Sequence, residues 1–264
     1  MARQMRGEDN VLRTKILKEI NEDFHQGDKI NFALDLENPE ILFELVNCFE
    51  EQVAVIRELA SRAIIKCCGT EQSRFLIVKE EMIPKIRFLF DDPVVDIRGN
   101  AYKAMINLAE FTFGIDHIIN FNIVAVLINK LVEEKSDEIL ILILELIQLL
   151  LHGENSSLVV QGSDILKHLN SHLKSEHYKI REMAAMNLGS ISYNTIGKEQ
   201  TIEAGSIKPL CEMLTDKIDC VRTAATRALC SLAQYKEGKV QIFDLDKLNE
   251  IIKFSQKSKI KIEF

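Results

Sequence analysis

Three histidines and two pairs of acids are the first residues in this chain whose types could do chemistry. His168 and His172 stand four apart, and His177 follows. On a helix that step puts two imidazoles on one face, a spacing that can grip a metal ion. No cysteine or carboxylate cluster accompanies them, so they read as surface histidines and no metal is expected. Glu133–Glu134 and Asp91–Asp92 fall at helix ends or turns and read as solvated charge, not as an acid–base pair. Cys48, Cys67, Cys68, Cys211, Cys220 and Cys230 form no C-x-x-C pair. Most lie in apolar runs where alanine would fit, as small buried side chains of a reduced compartment do. There is no phosphate loop, nucleophile elbow or H-E-x-x-H. An enzyme is not expected, and neither is a cofactor.

Composition narrows the fold. The 264 residues are 47% apolar and 28% charged, with only 11 glycines and 4 prolines. So few turn formers argue against an all-β fold, and helices are the default. The net charge of −7, with no long basic block, argues against nucleic acid as a partner. MARQMRGEDN lacks an apolar core, so no signal peptide is expected and the chain is placed in the cytoplasm.

The elements that position everything else are repeats. VIRELASRAI, DIRGNAYKAM, KIREMAAMNL and CVRTAATRAL share a phrase built on Arg57, Arg98, Arg181 and Arg222. The intervals are 41, 83 and 41 residues, so a copy is missing near position 140. That place is filled by EILILILELIQLLLHG, residues 138–153. Its alternating start resembles a strand and its length of apolar residues suggests a membrane segment. It is too short for the ~20 residues that a span requires, and Glu145 and Gln148 interrupt it. The period makes it a third copy of the same helix, apolar nearly all round because it is buried mid-stack. Relative to each landmark, with Leu140 as the third, offsets −1, 3, 7 and 10 carry apolar residues in all five copies. These offsets mark one helical face.

Before Arg98 and Arg222 lie KEEMIPKIRFLFDD and IEAGSIKPLCEMLTD, with Pro84 and Pro209 near a helix start. Gly114, Gly197 and Gly238 each fall 16 residues after a landmark, where a chain reversal is expected. Each repeat is therefore two shorter helices and a long third one. The third helices are expected to begin near 55, 96, 138, 179 and 220. Residues 10–26 read as a capping helix with Asn10 as N-cap, giving a cap and linker over 1–34 and a solenoid over 35–264. A sixth landmark would fall at 263, so the solenoid is expected to end in a partial repeat.

EAGSIKPLCEML…VRTAATRALCSLA and VVDIRGNAYKAMINLAEF resemble the armadillo consensus, over roughly residues 35–250. The resemblance implies an all-α, right-handed superhelical armadillo solenoid of about five repeats of 41–42 residues plus the capping helix. It also implies that third helices line a concave groove, with offsets five and nine pointing into it. Those positions are Arg62, Lys103, Glu145, Met186 and Arg227, then Lys66, Asn107, Leu149, Ser190 and Ser231. Such a groove is basic at its N-terminal end and apolar near its centre, suiting a protein segment with an acidic end and an apolar middle. The landmark arginines, with Asp96 and Asp219 nearby, are expected to brace adjacent helices.

The chain has no tryptophan, and only Asn107 matches the tryptophan and asparagine ladder of importin-alpha adaptors. FDDPVVDIRGNAYKAMINLAE, HIINFNIVAVLINKLVEE and KIREMAAMNLGSISYNTIGKEQTIEAGSIKPLCEML are similar to the radial spoke head 14 homologue family of ciliary armadillo proteins. That resemblance implies a non-enzymatic subunit of the axonemal radial spoke, in a large hetero-oligomeric complex with other stalk or neck subunits. The alternative is a soluble armadillo adaptor that binds an extended peptide of a protein partner.

Overall fold

The computed structural model describes residues 9–23, 39–151 and 162–257, with Met5, Gly7 and Val160 besides. Among them there is no strand. The structure divides into two units, Met1–Ile123 and Val124–Phe264.

The first unit opens with α1 (Asn10–Asp23), followed by α2 (Glu40–Asn47), α3 (Ala54–Cys67) and α4 (Glu71–Lys79). It continues through α5 (Ile83–Phe88), α6 (Val95–Ala109) and α7 (Thr112–Asn120). The helix α8 (Ile123–Glu133) begins at the boundary. The second unit holds α9 (Asp137–Leu150), α10 (Ile165–His172), α11 (Tyr178–Ile191) and α12 (Thr195–Glu203). It ends with α13 (Ile207–Glu212), α14 (Asp219–Leu232), α15 (Lys236–Asp244) and α16 (Leu248–Lys257). The predicted third helices are α3, α6, α9, α11 and α14. Each begins one residue before the expected start.

Burial explains why these helices recur. The residues at offsets −1, 3, 7 and 10 form the shared core, and none of the twenty is more than 3% exposed. In the first unit α1 packs on α3 and α3 on α6, so a continuous apolar layer runs through the third helices. In the second unit α9 packs on α11 and α11 on α14. The apolar run forms a buried helix over Asp137–Leu150, with Ile143, Leu144, Leu146, Ile147 and Leu150 inaccessible; residues 152 and 153 lie outside the described residues. Ser136 caps it, its Oγ accepting from the Ile139 N–H at 3.5 Å. Among the described residues no single helix is long and apolar enough to cross a membrane.

Two local expectations are corrected. The cap of α1 is Asp9, not Asn10: its carboxylate accepts from the N–H groups of Val11 at 2.9 Å and Leu12 at 3.2 Å. The second concerns the chain reversals. Gly114, Gly197 and Gly238 lie inside the first turns of α7, α12 and α15, and none has a left-handed backbone. Among the described residues the left-handed ones are Glu81, Asn122, Gly162, Gly205 and Asp246; of these, Glu81, Asn122, Gly205 and Asp246 each stand just past the end of a first helix. After Glu81, Gly205 and Asp246 the N–H of the following residue reaches back to close the helix end, as in Met82 to the Ile77 carbonyl at 2.9 Å. Among the described residues, only one of these four reversals uses glycine.

Two of the three histidines do structural work. The His177 Nδ1 accepts from the Lys179 N–H and caps α11. The His172 Nε2 lies 2.9 Å from the Leu131 carbonyl. Among the described residues no three His, Cys, Asp or Glu side chains are placed to hold a metal ion. Burial holds His172 below its usual pKa, outweighing the Leu131 carbonyl that favours the charged ring, and His168 adds to the lowering. The unfolded chain therefore takes up this proton first. Stability is expected to fall as pH drops below about 6.5, until the folded state is protonated too. Melting temperatures between about pH 7.5 and 5 check this, since His172→Gln removes the titration and should flatten part of the acid slope.

Candidate protein-binding surface

The landmark arginines brace the repeats, but through Asp92 and Asp216 and not Asp96 or Asp219; Asp92, expected to be solvated charge, is buried and ion-paired. Arg57 forks onto Asp92, 35 residues on, with Nε–Oδ2 at 2.6 Å and Nη2–Oδ1 at 3.3 Å. Arg181 makes the same fork to Asp216, at 2.8 and 3.1 Å. All four arginines also donate from Nη1 to carbonyls of the turn before their own helix, such as Arg98 to Asp92 O at 2.9 Å. One guanidinium thus ties its own turn to the turn of the next repeat. Asp219 instead pairs with Arg222 on its own helix, at 2.5 Å. Burial pushes the Asp216 carboxyl up, but hydrogen bonds from Arg181 and the Ile218 N–H, with the charges of Arg181 and Arg222, hold it below the usual range. The cysteines fit the same structural role: burial pushes Cys48, Cys211 and Cys230 up to about 11 and Cys67 to about 12.

The offset-five and offset-nine side chains do different things. In the first unit Arg62 and Lys103 are exposed at offset five. Arg62 is 52% exposed and pairs with Glu58 on its own helix at 2.7 Å. At offset nine, the Lys66 Nζ donates to the Asn21 carbonyl at 2.5 Å, which ties α3 to α1. Burial and the neighbouring Arg62 lower the Lys66 pKa. The Asn107 Nδ2 donates across to the Ile65 carbonyl at 3.3 Å. In the second unit Glu145 and Arg227 are exposed and Met186 is half-buried at offset five. At offset nine, Leu149 is half-buried, Ser190 accepts from Gln148 at 2.6 Å, and Ser231 donates to the Ser192 carbonyl at 2.5 Å. Offset five therefore faces outward, while the polar atoms of offset nine are engaged by the neighbouring helix. Helical periodicity cannot separate these cases, because it reports a side chain's direction and not what its far end reaches.

Two surface features escaped the sequence reading. The Phe75 and Phe113 rings stack 5.8 Å apart on α4 and α7, with the Arg74 guanidinium 3.7 Å above Phe111 beside them. Phe75 and Phe113 do not occupy equivalent repeat positions, so the period gave no signal. Phe88, on α5, is 56% exposed beside the Arg57–Asp92 pair.

Third helices stacked on third helices within each unit, with two shorter helices before α6, α9 and α14 and arginine staples at α3 and α11, define the architecture. It is the armadillo fold. A designed armadillo repeat protein solved with the peptide (KR)4 matches with a TM-score of 0.77 and 17% identity, over 88% of this chain and 97% of its own. Computationally designed armadillo repeat proteins for modular peptide recognition match at 0.77 and 18% identity, over 87% and 97%. An engineered protein from a structural genomics consortium matches at 0.76 and 18% identity, over 89% and 97%. The HEAT repeat family model matches residues 207–236, which are α13, α14 and the turn after them. No curated protein sequence matches the chain. The armadillo solenoid is suited to protein–protein binding, because its repeats present successive side chains on a continuous face.

Proposed function

We propose that this chain is a non-enzymatic scaffold that binds neighbouring proteins, built into the radial spoke of the ciliary axoneme beside other stalk or neck subunits. The observation that carries the binding role is the exposure of offset-five side chains within each unit. Arg62, Lys103, Glu145 and Arg227 stay exposed while the core offsets of the same helices are closed. A fold that needed only its own stability would place no demand on those side chains, and their charges are varied enough to select a partner. The spoke assignment rests on the sequence resemblance of the three segments quoted above. The complex of a designed armadillo protein with a peptide supports the broader reading of a peptide-binding adaptor.

Fractionation separates the two readings. A spoke subunit stays with detergent-extracted axonemes, and a transient adaptor washes into the soluble fraction. Loss of the protein on extraction would favour the adaptor. The groove contact is tested by Arg62→Glu with Lys103→Glu, leaving Lys66 alone because its reversal would unseat α1. Both residues are exposed, so folding should survive within about 0.5 kcal/mol of the parent. Association with an acidic partner should weaken about tenfold or more, and parent binding should decline with added salt. Unchanged incorporation of the folded double variant would move the contact off this face.

A further inference from the structure

Phe75 on α4 and Phe113 on α7 stack at 5.8 Å and yet remain 54% and 44% exposed. Beside them Val78, Leu108 and Phe111 line a largely apolar cleft of about 150 Å³, which Glu71 and Arg74 share. Arg74 is engaged, with Glu110 at 3.0 Å and over the Phe111 ring. The repeats show that the fold does not require the phenyl pair. In the second unit the same two positions, on α12 and α15, are Glu199 and Glu237. Tyr235 stands there in the place of Phe111, and its hydroxyl donates to Glu199. First helices are thus seated against each other with carboxylates where α4 and α7 show rings. Two half-exposed rings beside an apolar cleft are costly to leave in water.

The charges around Phe75 say what covers it. Glu71 stands four residues before it and Lys79 four after, each one step along the same helical face. Both are exposed, and neither has a hydrogen-bond or ion-pair partner among the described residues. The helix dipole favours an acid in the first turn and a base in the last, which accounts for each charge singly but not for the ring midway. At 1.5 Å rise per residue the two charges lie about 12 Å apart along α4, with Phe75 halfway. An acid–ring–base stripe of this kind is self-complementary. Turned antiparallel about a two-fold axis at Phe75, one α4 brings its ring onto the ring of another, and Glu71 of each copy faces Lys79 of the other. A parallel approach would oppose like charges.

We propose that this face of the first unit docks a second copy of the chain, α4 against α4, with Phe113 of each copy extending the apolar contact. A pair of nine-residue helices offers less than a standard interface. Such interfaces bury about 1,600 Å², so the dimer is weak, with a Kd on the order of 10–100 μM. α15 carries a stripe of opposite polarity, Lys236, Val240 and Asp244, with Phe243 exposed nearby. α4 is the better seat, because its ring is stacked on a second ring and both line the cleft. The proposal is independent of the spoke assignment.

The test is sedimentation velocity of the full chain from about 5 to about 500 μM at about 50 mM salt, where surface charges are weakly screened. The parent should pass from monomer to dimer over this range and go no further. Phe75→Ala should weaken the dimer about tenfold. Glu71→Lys and Lys79→Glu each oppose like charges across the two-fold axis, and each alone should weaken it about tenfold or more. An equimolar mixture of those two variants should dimerise again, because every added charge then faces its opposite, and misfolding cannot produce that rescue. Val240→Ser with Phe243→Ser, on α15, should leave the dimer unchanged. A parent that stays monomeric, an unweakened Phe75→Ala dimer, a mixture that fails to pair, or loss of the dimer in the α15 variant would each overturn the proposal. So would growth beyond a dimer, which a contact of α4 with α15 would give.

Discussion

Leu144→Asp is expected to unfold the second unit. Leu144 is fully closed from solvent in the middle of α9, and α9 packs on α11. Its own carbonyl accepts the Asn187 side chain at 3.0 Å, so the helix cannot slide to expose the new carboxylate without losing that bond too. A buried carboxylate with no cationic partner costs several kcal/mol, against a total stability of ~5–15 kcal/mol. Repeats supply one another's core, so the loss spreads from α9 to α11 and beyond. The adjacent exposed residue gives the control: Glu145→Lys should stay within about 0.5 kcal/mol of the parent. Burial raises the folded-state pKa of the new acid, so the deficit should shrink as pH falls and the group becomes neutral. Circular dichroism with thermal melting reads all three. A cooperative melt for Leu144→Asp at the parent temperature would mean that α9 is not a core helix.

What the sequence disclosed follows a physical boundary. Offsets −1, 3, 7 and 10 specify a helix and its buried face, because a 3.6-residue period needs only the residues of that helix. The third copy was legible for the same reason, although EILILILELIQLLLHG alternates locally. Interactions between helices were less legible. Lys66 reaches Asn21, Asn107 reaches Ile65 and Arg57 reaches Asp92, at separations of 45, 42 and 35 residues. Nothing local distinguishes Asp92 from Asp96 as the partner of an arginine. The choice depends on which turn the next repeat brings alongside. For this reason the sequence anticipated exposure at offset five, where Met186 alone is half-buried, but not the contacts that the offset-nine polar atoms make with neighbouring helices.

The glycines make the same point with a large expected effect. Gly114, Gly197 and Gly238 recur in register, and their backbones would accept any residue, since none is left-handed. What excludes a side chain is the preceding third helix. A Cβ added there would sit 1.9 Å from the Leu108 carbonyl oxygen, 1.8 Å from that of Ile191 and 2.2 Å from that of Leu232. Those oxygens are backbone, held in the last turn of a packed helix, and cannot swing aside as a side-chain tip would. Each first helix must therefore retreat, opening the layer it seals. Alanine should gain about 1 kcal/mol in helix propensity. The forced displacement should outweigh this and leave a net loss of about 2–3 kcal/mol. At this chain length that is a fall of about 5–10 °C in melting temperature. Gly189 is the contrast. It lies inside α11, and its added Cβ would meet the Ala228 Cα at 3.5 Å, an ordinary contact. Gly189→Ala should therefore melt at or slightly above the parent. The first repeat has Ser73 in this register, its Oγ 2.7 Å from that of Thr70, so α4 is seated without the glycine. The requirement thus belongs to the close approach in the repeats of α7, α12 and α15 and not to the register itself. Parent-like melting of Gly114→Ala and Gly197→Ala would show that these helices can move apart freely, and the glycines would then need another explanation.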